Sequence, residues 1–267
     1  MERLPGVADS HCHLQHERFD ADREAILERA VAAGIERILV PGWDLASSEA
    51  ALELAARHAP LVQAAVGIHP HDAASATEED WANLARLAAE PACVAIGEIG
   101  LDFHRNLSPR ERQLGAFHRE LDLAASLGKA VLVHDREAHG AVTEALLTWP
   151  GRRHAAARGA LHAFSGDADM AVRLADAGFL ISFALPVAFR SAAGPRAAAA
   201  ALPASAILLE TDAPFLGPDR DGRNEPTTAI RVAAELARIC GTSPEEVARG
   251  ARAAYDALVS PTAPQAS

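Results

Sequence analysis

The fold is indicated most clearly by residues 108–134, which read SPRERQLGAFHRELDLAASLGKAVLVH. Ser108 and Pro109 form a helix start signal, and the residues that follow have helical periodicity. Gly128 then ends the predicted helix, because glycine readily adopts the left-handed conformation found at helix C-termini. The apolar run Ala130–His134 follows directly and predicts a buried strand. A helix that leads into a buried strand is typical of parallel α/β proteins.

Further apolar runs of strand length occur along the chain, and stretches with helical periodicity separate them. Most of these runs are apolar throughout, as expected of parallel strands that are covered on both faces. Eight strands alternating with helices predict an α/β fold of the (β/α)8 TIM-barrel type. An open doubly wound sheet is the alternative, but no G-x-G-x-x-G motif follows the first strand. The predicted strands are Val7–His13, Arg37–Pro41, Leu61–Ile68, Cys93–Ile99, Ala130–His134, Ala160–Phe164, Phe179–Phe183 and Ile207–Thr211.

Composition and charge exclude several classes of protein. The chain has 267 residues, of which 49% are hydrophobic, so it is expected to fold rather than to be disordered. We expect one barrel domain over residues 1–259 and a frayed tail over residues 260–267. No apolar run approaches the roughly 20 residues of a membrane helix, and three scattered cysteines favour a reducing cytoplasm. The net charge of −11 argues against a broadly basic surface for nucleic acid, although not against a local phosphate site.

Side chains that commonly bind metal ions lie at the ends of the predicted strands. His11 and His13 are one residue apart at the end of the first strand, so both are expected to project to the same side. Two imidazoles on one edge are a natural pair of ligands for a divalent ion, although an isolated H-x-H can also be an ordinary polar loop. Glu98 follows the fourth strand among apolar residues and glycines, where a carboxylate is costly to bury unless it is paired or bound to metal.

Three further candidates, His134, His162 and Asp212, end the fifth, sixth and eighth predicted strands. In a barrel all of these positions fall at the carboxyl-terminal face, where the active sites of this fold are built. Four histidines and two carboxylates that converge there have the composition of a two-metal site. Some barrel hydrolases bridge two metals with a carbamylated lysine, but the sole lysine, Lys129, precedes the fifth strand and so lies at the opposite end. Glu98 is therefore predicted to bridge the metals.

Seven segments of the chain together resemble the TatD family of metal-dependent hydrolases, and they occur in the family's order over about residues 7–258. The resemblance implies a TIM barrel of the amidohydrolase superfamily with magnesium-, manganese- or zinc-dependent deoxyribonuclease activity. It also implies metal-ligand roles for His11, His13, Glu98, His134, His162 and Asp212. Ala184 and Ala254 depart from the family's usual glycine and asparagine, outside the ligand set. The segments are Asp9–His13, Gly67–His71, Gly97–Asp102, His134–Ala138, His162–Gly166, Glu210–Pro214 and Arg223–Pro226.

We interpret these residues as a two-metal hydrolase that cleaves DNA phosphodiesters, exonucleolytically at single-stranded ends, through a hydroxide shared by the two ions. One ion is assigned to His11, His13, Glu98 and Asp212, and the other to Glu98, His134 and His162. Asp212 is the predicted proton acceptor.

Residues with supporting roles are also predicted. His69, Arg136 and Arg223 are candidates for substrate binding, although either arginine could instead form a structural ion pair. Asp102 and Glu210 are candidate hydrogen-bond partners of the ligands. The three tryptophans, Trp43, Trp81 and Trp149, are too dispersed in the sequence to predict a base-stacking platform.

Two alternative functions stay open from the sequence. The same barrel could hydrolyse a small non-nucleic ester, lactone, amide or phosphoester, and the net charge of −11 gives this reading some support. A non-catalytic metal-binding scaffold is the second alternative, against which the complete ligand set argues. The sequence indicates no membrane partner and no obligatory protein partner, and we expect a monomer.

Overall fold

The computed structural model describes residues 3–152, 155–219 and 222–260, and this part of the chain forms a nearly closed barrel of eight parallel strands. Each strand pairs with the next one in the sequence, in the order β1 to β8, and helices cover the outside. The predicted TIM barrel is therefore confirmed. The strands are β1 Val7–Asp9, β2 Ile35–Pro41, β3 Val62–Val66, β4 Cys93–Asp102, β5 Ala130–Arg136, β6 Gly159–Leu161, β7 Phe179–Phe183 and β8 Ile207–Leu209. The α-helices are α1 Arg23–Ala33, α2 Leu45–His58, α3 Glu78–Ala88, α4 Arg110–Leu127, α5 His139–Thr148, α6 Ala168–Asp176, α7 Ala193–Ala201, α8 Ala229–Cys240 and α9 Pro244–Val259.

The barrel closes between β8 and β1 through irregular contacts instead of a regular ladder. The Ser10 amide donates to the Leu209 carbonyl at 3.0 Å, and Cys12 forms an isolated parallel bridge with Ala213. The Asp212 amide donates to the His11 carbonyl at 2.9 Å. These contacts hold the segments after β1 and β8 side by side at the carboxyl-terminal end of the barrel.

The helix predicted from residues 108–134 is present, but its start differs from the prediction. Gly128 ends α4 with a φ of 64°, as expected of a glycine in the left-handed region. Pro109 occupies the N-cap position instead of Ser108. The Ser108 hydroxyl is used elsewhere, because it donates to the His71 carbonyl at 2.8 Å and accepts from the Ala74 amide at 3.0 Å. Ser108 therefore anchors the loop that follows β3.

Some of the predicted strands were too long and others were too short. Strand β1 ends at Asp9 and β6 at Leu161, so the histidines after them lie in loops. Strands β4 and β5 instead continue together beyond Glu98 and His134, with Gly100 paired to His134. Apolar runs predict the buried part of each strand, but pairing with the neighbouring strand decides where the ladder stops.

A cluster of buried residues from neighbouring strands contains many alanines. Ala65, Ala95 and Ala160 pack there with leucines of the neighbouring strands, and Tyr255 of α9 packs against the same cluster without exposure to solvent. The Tyr255 hydroxyl donates to the Gln63 side-chain oxygen at 2.8 Å. Helix α9 contacts β1 and β8 and covers the amino-terminal end of the barrel. Packing against α9 therefore covers this end of the described barrel, and the candidate ligands lie at the opposite end.

The sole lysine lies at the covered end, as predicted. The Lys129 ammonium donates to the carbonyls of Ala88 at the end of α3, Glu90 in the loop that follows and Cys93 at the start of β4. It therefore does not reach the carboxyl-terminal face. Among the described helices, none combines the length and apolar character needed to cross a membrane. The predicted tail falls mainly on residues 261–267, which lie outside the described residues.

Candidate metal centre

His11 and His13 come together although neither lies on a strand. Their Nε2 atoms are 3.2 Å apart, and both side chains are almost completely buried. Asp9 fixes the segment that carries them, because its carboxylate accepts from the His11 amide at 3.3 Å and from the Thr211 amide at 2.9 Å. The Thr211 hydroxyl donates to the same carboxylate at 2.6 Å. Burial raises the pKa of Asp9 to about 8, although the Thr211 bonds act in the opposite direction.

Glu98 lies within β4, and two glycines make room for its strand. A Cβ on Gly97 would lie 2.5 Å from the Leu132 Cβ, and one on Gly100 would lie 2.1 Å from the His134 carbonyl oxygen. Gly100 also has a φ of 132°, which side chains rarely tolerate. These glycines let β4 approach β5 closely, so the Glu98 carboxylate is held in the barrel mouth with 4% of its surface exposed.

The Glu98 carboxylate is surrounded by imidazoles from four segments of the chain. Its Oε1 atom lies 2.9 Å from His134 Nδ1, 2.9 Å from His162 Nε2 and 3.4 Å from His69 Nε2. Its Oε2 atom lies 3.3 Å from His11 Nε2 and 3.5 Å from His13 Nε2. Burial acts to raise the pKa of Glu98, but the surrounding histidines, His162 first, hold it well below its ordinary value. Glu98 is therefore a carboxylate at neutral pH.

Asp212 completes the half of the cluster that contains His11 and His13. Its Oδ1 atom lies 3.5 Å from His13 Nε2 and 3.8 Å from His11 Nε2. Asp212 has a φ of 55°, a conformation that is uncommon for non-glycine residues and that concentrates at functional sites. Although burial raises the pKa of Asp212, hydrogen bonding with His13 and the charge of His162 keep it below its ordinary value. Asp212 is also a carboxylate at neutral pH.

The donor atoms fit a metal centre. Two ligands about 2.1 Å from one tetrahedral ion lie about 3.4 Å from each other. The Nε2 atoms of His11 and His13 are 3.2 Å apart, and His134 Nδ1 and His162 Nε2 are also 3.2 Å apart. Such short nitrogen–nitrogen distances suit two ligands that share an ion, because two neutral imidazoles gain at most one hydrogen bond from facing each other. Three overlapping triads place their donor atoms within 4.8 Å, namely His11–Glu98–His162, His11–His13–Asp212 and His69–Glu98–His134.

His69, a predicted substrate-binding residue, lies inside this cluster. Its side chain is buried, and its ring packs against that of His134 with centroids 4.5 Å apart. Burial lowers the pKa of His69 to about 4, even though Glu98 acts to raise it. His69 is therefore neutral at pH 7 and can accept a hydrogen bond or bind an ion through Nε2.

Asp102 and Glu210 lie behind the histidines, where they were predicted to act as hydrogen-bond partners. Asp102 Oδ2 is 3.4 Å from His134 Nε2 and 2.8 Å from His71 Nε2. Glu210 Oε1 is 3.3 Å from His162 Nδ1 and accepts from the Ala163 amide at 2.7 Å. A carboxylate behind a ligand imidazole fixes the ring orientation and its tautomer.

The hydrogen-bonding environment of Asp102 favours its charged form. Burial acts to raise the pKa of Asp102, but the adjacent His134 ring together with the hydrogen bonds to the Arg105 amide and His71 holds it far below its ordinary value. For His162, burial lowers the pKa, while Glu98 and Glu210 together raise it well above the ordinary value. In the metal-free protein His162 therefore carries a proton between two carboxylates, and a bound metal ion would have to displace that proton.

The two predicted arginines have different environments. Arg136 is exposed, lines the cleft above His134 and His162, and has no side-chain ion pair or hydrogen bond to the described residues. Arg223 is engaged, because its two Nη atoms donate to the Asp22 carboxylate at 2.7 Å each. Its guanidinium also stacks over Phe19 at 5.1 Å. The structure therefore brings Arg136 to the site but does not bring Arg223 there.

A cleft of about 480 Å³ opens above the metal centre. His134, His162 and Asp212 form part of its floor, and Arg136 and Ser165 lie at its edge. Its opposite wall is apolar and contains Phe183, Pro186, Val187 and Leu216. The cleft can hold a substrate with an anionic centre and an apolar or aromatic neighbour.

Known proteins with the same organisation identify the family. The model of the family described as "TatD related DNase" matches residues 8–260. The chain belongs to the TatD family. A TatD relative, "3'-5' ssDNA/RNA exonuclease TatD" of Erwinia amylovora, is 38% identical over 249 residues, which are 90% of this chain and 94% of the relative. Another, the "uncharacterized metal-dependent hydrolase YabD" of Bacillus subtilis, is 37% identical over 243 residues, with 90% of this chain and 93% of the relative covered.

The TatD fold is also shown by a solved structure. YJJV, a TatD homologue of Escherichia coli, superposes with a TM-score of 0.88 at 32% identity and covers 95% of this chain and 98% of its own. As a TatD-family protein, the chain is a metal-dependent hydrolase that acts on ester bonds. The candidate metal-ligand groups lie at the carboxyl-terminal end of the barrel, as the fold requires.

Several contacts within the TatD site could not be recognised from the sequence. Asp9 stands beside the H-x-H pair, but only the tertiary structure shows that it binds Thr211 across the barrel closure. His71 is not among the predicted site residues, but its Nε2 atom contacts the same Asp102 oxygen as His134 Nε2 does. The Trp43 ring contacts the His13 ring at a centroid distance of 5.3 Å and the His16 ring at 6.0 Å. No local motif links these positions.

The role of Asp102 can be tested by substitution. Asp102→Asn is expected to weaken metal binding about 10- to 100-fold, because the amide is a poorer acceptor for His134 and leaves its tautomer unfixed. Competition with a chromophoric chelator measures the affinity. His104→Ala is the matched control, since it removes the exposed His104–Glu137 pair of the same loop and should leave metal affinity unchanged. Equal affinities in Asp102→Asn and the wild type would contradict this role.

Proposed function

We propose that this enzyme hydrolyses phosphodiester bonds of DNA at single-stranded ends with two divalent ions bound in the barrel mouth. The observation that carries the proposal is the position of Glu98, whose Oε2 atom faces His11 and His13 while its Oε1 atom faces His134, His162 and also His69. Glu98 would bridge one ion held with His11, His13 and Asp212 and another held with His134 and His162. Magnesium, manganese and zinc are the candidate metals.

Bound divalent ions would supply Lewis acidity at the phosphoryl oxygens and lower the pKa of a water molecule. The chain's own groups are then required to move a proton, orient the ligands and hold the substrate. Asp212 is the proposed proton acceptor, because its carboxylate is ionised and faces both the His11–His13 pair and the cleft. Asp102 and Glu210 would hold His134 and His162 in their ligating orientation.

The nucleic-acid substrate is supported by the names of relatives and by the cleft. Relatives that are 36–38% identical carry the name "3'-5' ssDNA/RNA exonuclease TatD". Arg136 is the cation at the cleft edge that has no partner among the described residues, and a guanidinium binds phosphate oxygens with paired hydrogen bonds. All of the proposed ligands come from one chain, so a monomer is sufficient for activity.

Parallel activity assays test the proposal. Purified enzyme is incubated with Mg²⁺, Mn²⁺ or Zn²⁺ and with single-stranded DNA labelled at one end, duplex DNA, single-stranded RNA, a phosphodiester reporter and a lactone. We expect metal-dependent shortening of the single strand from its end and loss of activity with chelator. Turnover of the lactone without cleavage of DNA would instead support hydrolysis of a small non-nucleic ester and would overturn the nuclease proposal.

The two arginines provide a further prediction. Arg136→Ala is expected to raise KM for single-stranded DNA about tenfold with little change in kcat, because it removes one charge-assisted contact to phosphate. Arg223→Ala is expected to lower stability but not to change KM, since Arg223 is paired with Asp22. Arg231→Ala, which removes an exposed arginine from α8, is the matched control for loss of charge. Steady-state kinetics and thermal unfolding separate these effects, and an unchanged KM in Arg136→Ala would contradict a phosphate-binding role.

A further inference from the structure

Exposed apolar side chains cluster beside the metal centre. Phe189, Phe215 and Leu216 are 52%, 43% and 38% exposed, although side chains of this size usually bury most of their surface. All three line a second cleft of about 550 Å³ at the mouth of the barrel. Exposed apolar residues that gather at one place mark a binding surface, whereas single ones need no explanation.

The second cleft is continuous with the cleft above the metal centre. Pro186 and Leu216 line both clefts, so a ligand can extend from one into the other without leaving the surface. Arg18 lies in the second cleft and adds a positive charge next to the aromatic rings, and Asp219 also lines it. A chain of alternating aromatic and anionic groups would therefore find both kinds of contact along this path.

Phe215 connects this surface directly to the predicted ligands. Its ring centroid is 5.9 Å from that of His13 and 5.4 Å from that of His16, with the rings nearly perpendicular in both pairs. The Trp43 ring also contacts these two histidines, with centroid distances of 5.3 Å to His13 and 6.0 Å to His16. Edge-to-face contacts of this kind hold an aromatic ring in place, so Phe215 is oriented before any substrate binds.

We infer that Phe215 and Phe189 form a base-stacking subsite for the nucleotides that adjoin the scissile phosphodiester of a single-stranded substrate. This inference rests on the proposed function. The Phe215 ring centroid is 5.9 Å from that of His13, so the bases next to a phosphodiester bound at the metal centre would lie within reach of Phe215. Aromatic side chains bind bases of any sequence through their π-faces, and only unpaired bases offer those faces. The subsite would therefore favour single strands over duplexes through the bases as well as through the backbone.

The position of the rings also explains why the tryptophans alone do not predict such a platform. Trp81 and Trp149 are buried in the structure, and only Trp43 reaches the mouth. Phe215 and Phe189 supply the exposed rings instead. They follow the eighth and seventh strands, and the barrel closure brings these strand ends together.

Kinetics with two matched oligonucleotides test the subsite. One is a natural single strand, and the other has the same backbone with abasic nucleotides over its last positions. Phe215→Ala is expected to raise KM about tenfold for the natural strand and to leave KM for the abasic strand unchanged. Phe189→Ala should have a smaller effect in the same direction, and Phe215→Trp should restore the wild-type KM. Val31→Ala, which shortens an exposed apolar side chain on α1, should change neither value.

A binding measurement separates failure of the subsite from failure of the proposed function. The probe is a cleavage-resistant phosphorothioate single strand with 2-aminopurine near its end, mixed with the protein and Mg²⁺. Quenching by the wild type that is lost in Phe215→Ala supports the subsite, even if no cleavage is found. Cleavage of DNA with equal KM changes for both strands, or no quenching by a wild type that does cleave single-stranded DNA, would overturn the subsite. Absence of both cleavage and quenching would overturn the proposed function and the subsite with it. A dimer in solution that dissociates in Phe215→Ala would also overturn it, because a second copy would then cover the surface.

Discussion

Replacing Glu98 by alanine is expected to abolish hydrolysis and to lower the bound metal below the two ions per chain that we propose. The physical reason is the number of groups that depend on one carboxylate, since five imidazole nitrogens lie between 2.9 and 3.5 Å from its oxygens. Without it, the two halves of the cluster lose their shared anionic ligand, and ions in adjacent sites repel each other more strongly. We expect kcat/KM to fall about a thousandfold or more, which corresponds to about 4 kcal/mol.

The Glu98 experiment needs a measure of metal content and a control for folding. Metal per chain is measured after desalting, and circular dichroism with thermal unfolding reports the fold. Glu98→Gln keeps the side-chain volume and should also lose activity, because a neutral amide is a poor bridging ligand. Glu137→Ala removes an exposed carboxylate near the same face and should retain both metal and activity. Full activity in Glu98→Ala would refute the bridging role.

Replacing Asp212 by asparagine is expected to reduce kcat about 100-fold or more with a smaller change in KM. General-base catalysis contributes about 10²- to 10⁴-fold, and an amide cannot accept the proton. The side-chain oxygen of asparagine remains available near His13, so metal content should fall less than in the Glu98 variants. A loss of metal equal to that of Glu98→Ala, with the remaining activity proportional to bound metal, would show that Asp212 acts only as a ligand.

The pH dependence of kcat provides a second measure of Asp212. In the wild type an acidic limb is expected, because activity requires the carboxylate and falls when Asp212 is protonated below its lowered pKa. Removal of this group should flatten that limb in Asp212→Asn. Asp176→Asn, which changes an exposed aspartate on α6, is the control and should keep the wild-type profile. An unchanged acidic limb in Asp212→Asn would assign the proton transfer to another group.

The order of the fold could be predicted because its signal is local. A run such as Ala130–His134 is apolar on both faces, and Gly128 ends the helix before it. Such runs do not predict where a strand stops pairing with its neighbours. For this reason the predicted β1 was four residues too long and the predicted β4 was three residues too short. The end of a ladder depends on the length of the adjacent strand and on close approaches such as that of Gly100 to His134.

The candidate ligands could be named from the sequence, but their arrangement could not. His11 and Asp212 are 201 residues apart, and only barrel closure brings their side chains within 3.8 Å. The sequence also could not separate Arg136 from Arg223, since an ion pair such as Arg223–Asp22 is a tertiary contact. The proposed aromatic subsite could not be predicted from the sequence either, because the ring contacts of Phe215 with His13 and His16 join distant parts of the chain.

The sequence by itself determined the fold class, the family and the set of polar residues at the strand ends. These features could be predicted because hydrophobic periodicity and short motifs are properties of residues that are neighbours in the sequence. Only the tertiary structure decided that Glu98 lies among five imidazole rings, that Asp102 and Glu210 lie behind His134 and His162, and that Arg136 lines the cleft while Arg223 pairs with Asp22. Those facts are distances between segments far apart in the chain, and they depend on how eight strands close into one barrel.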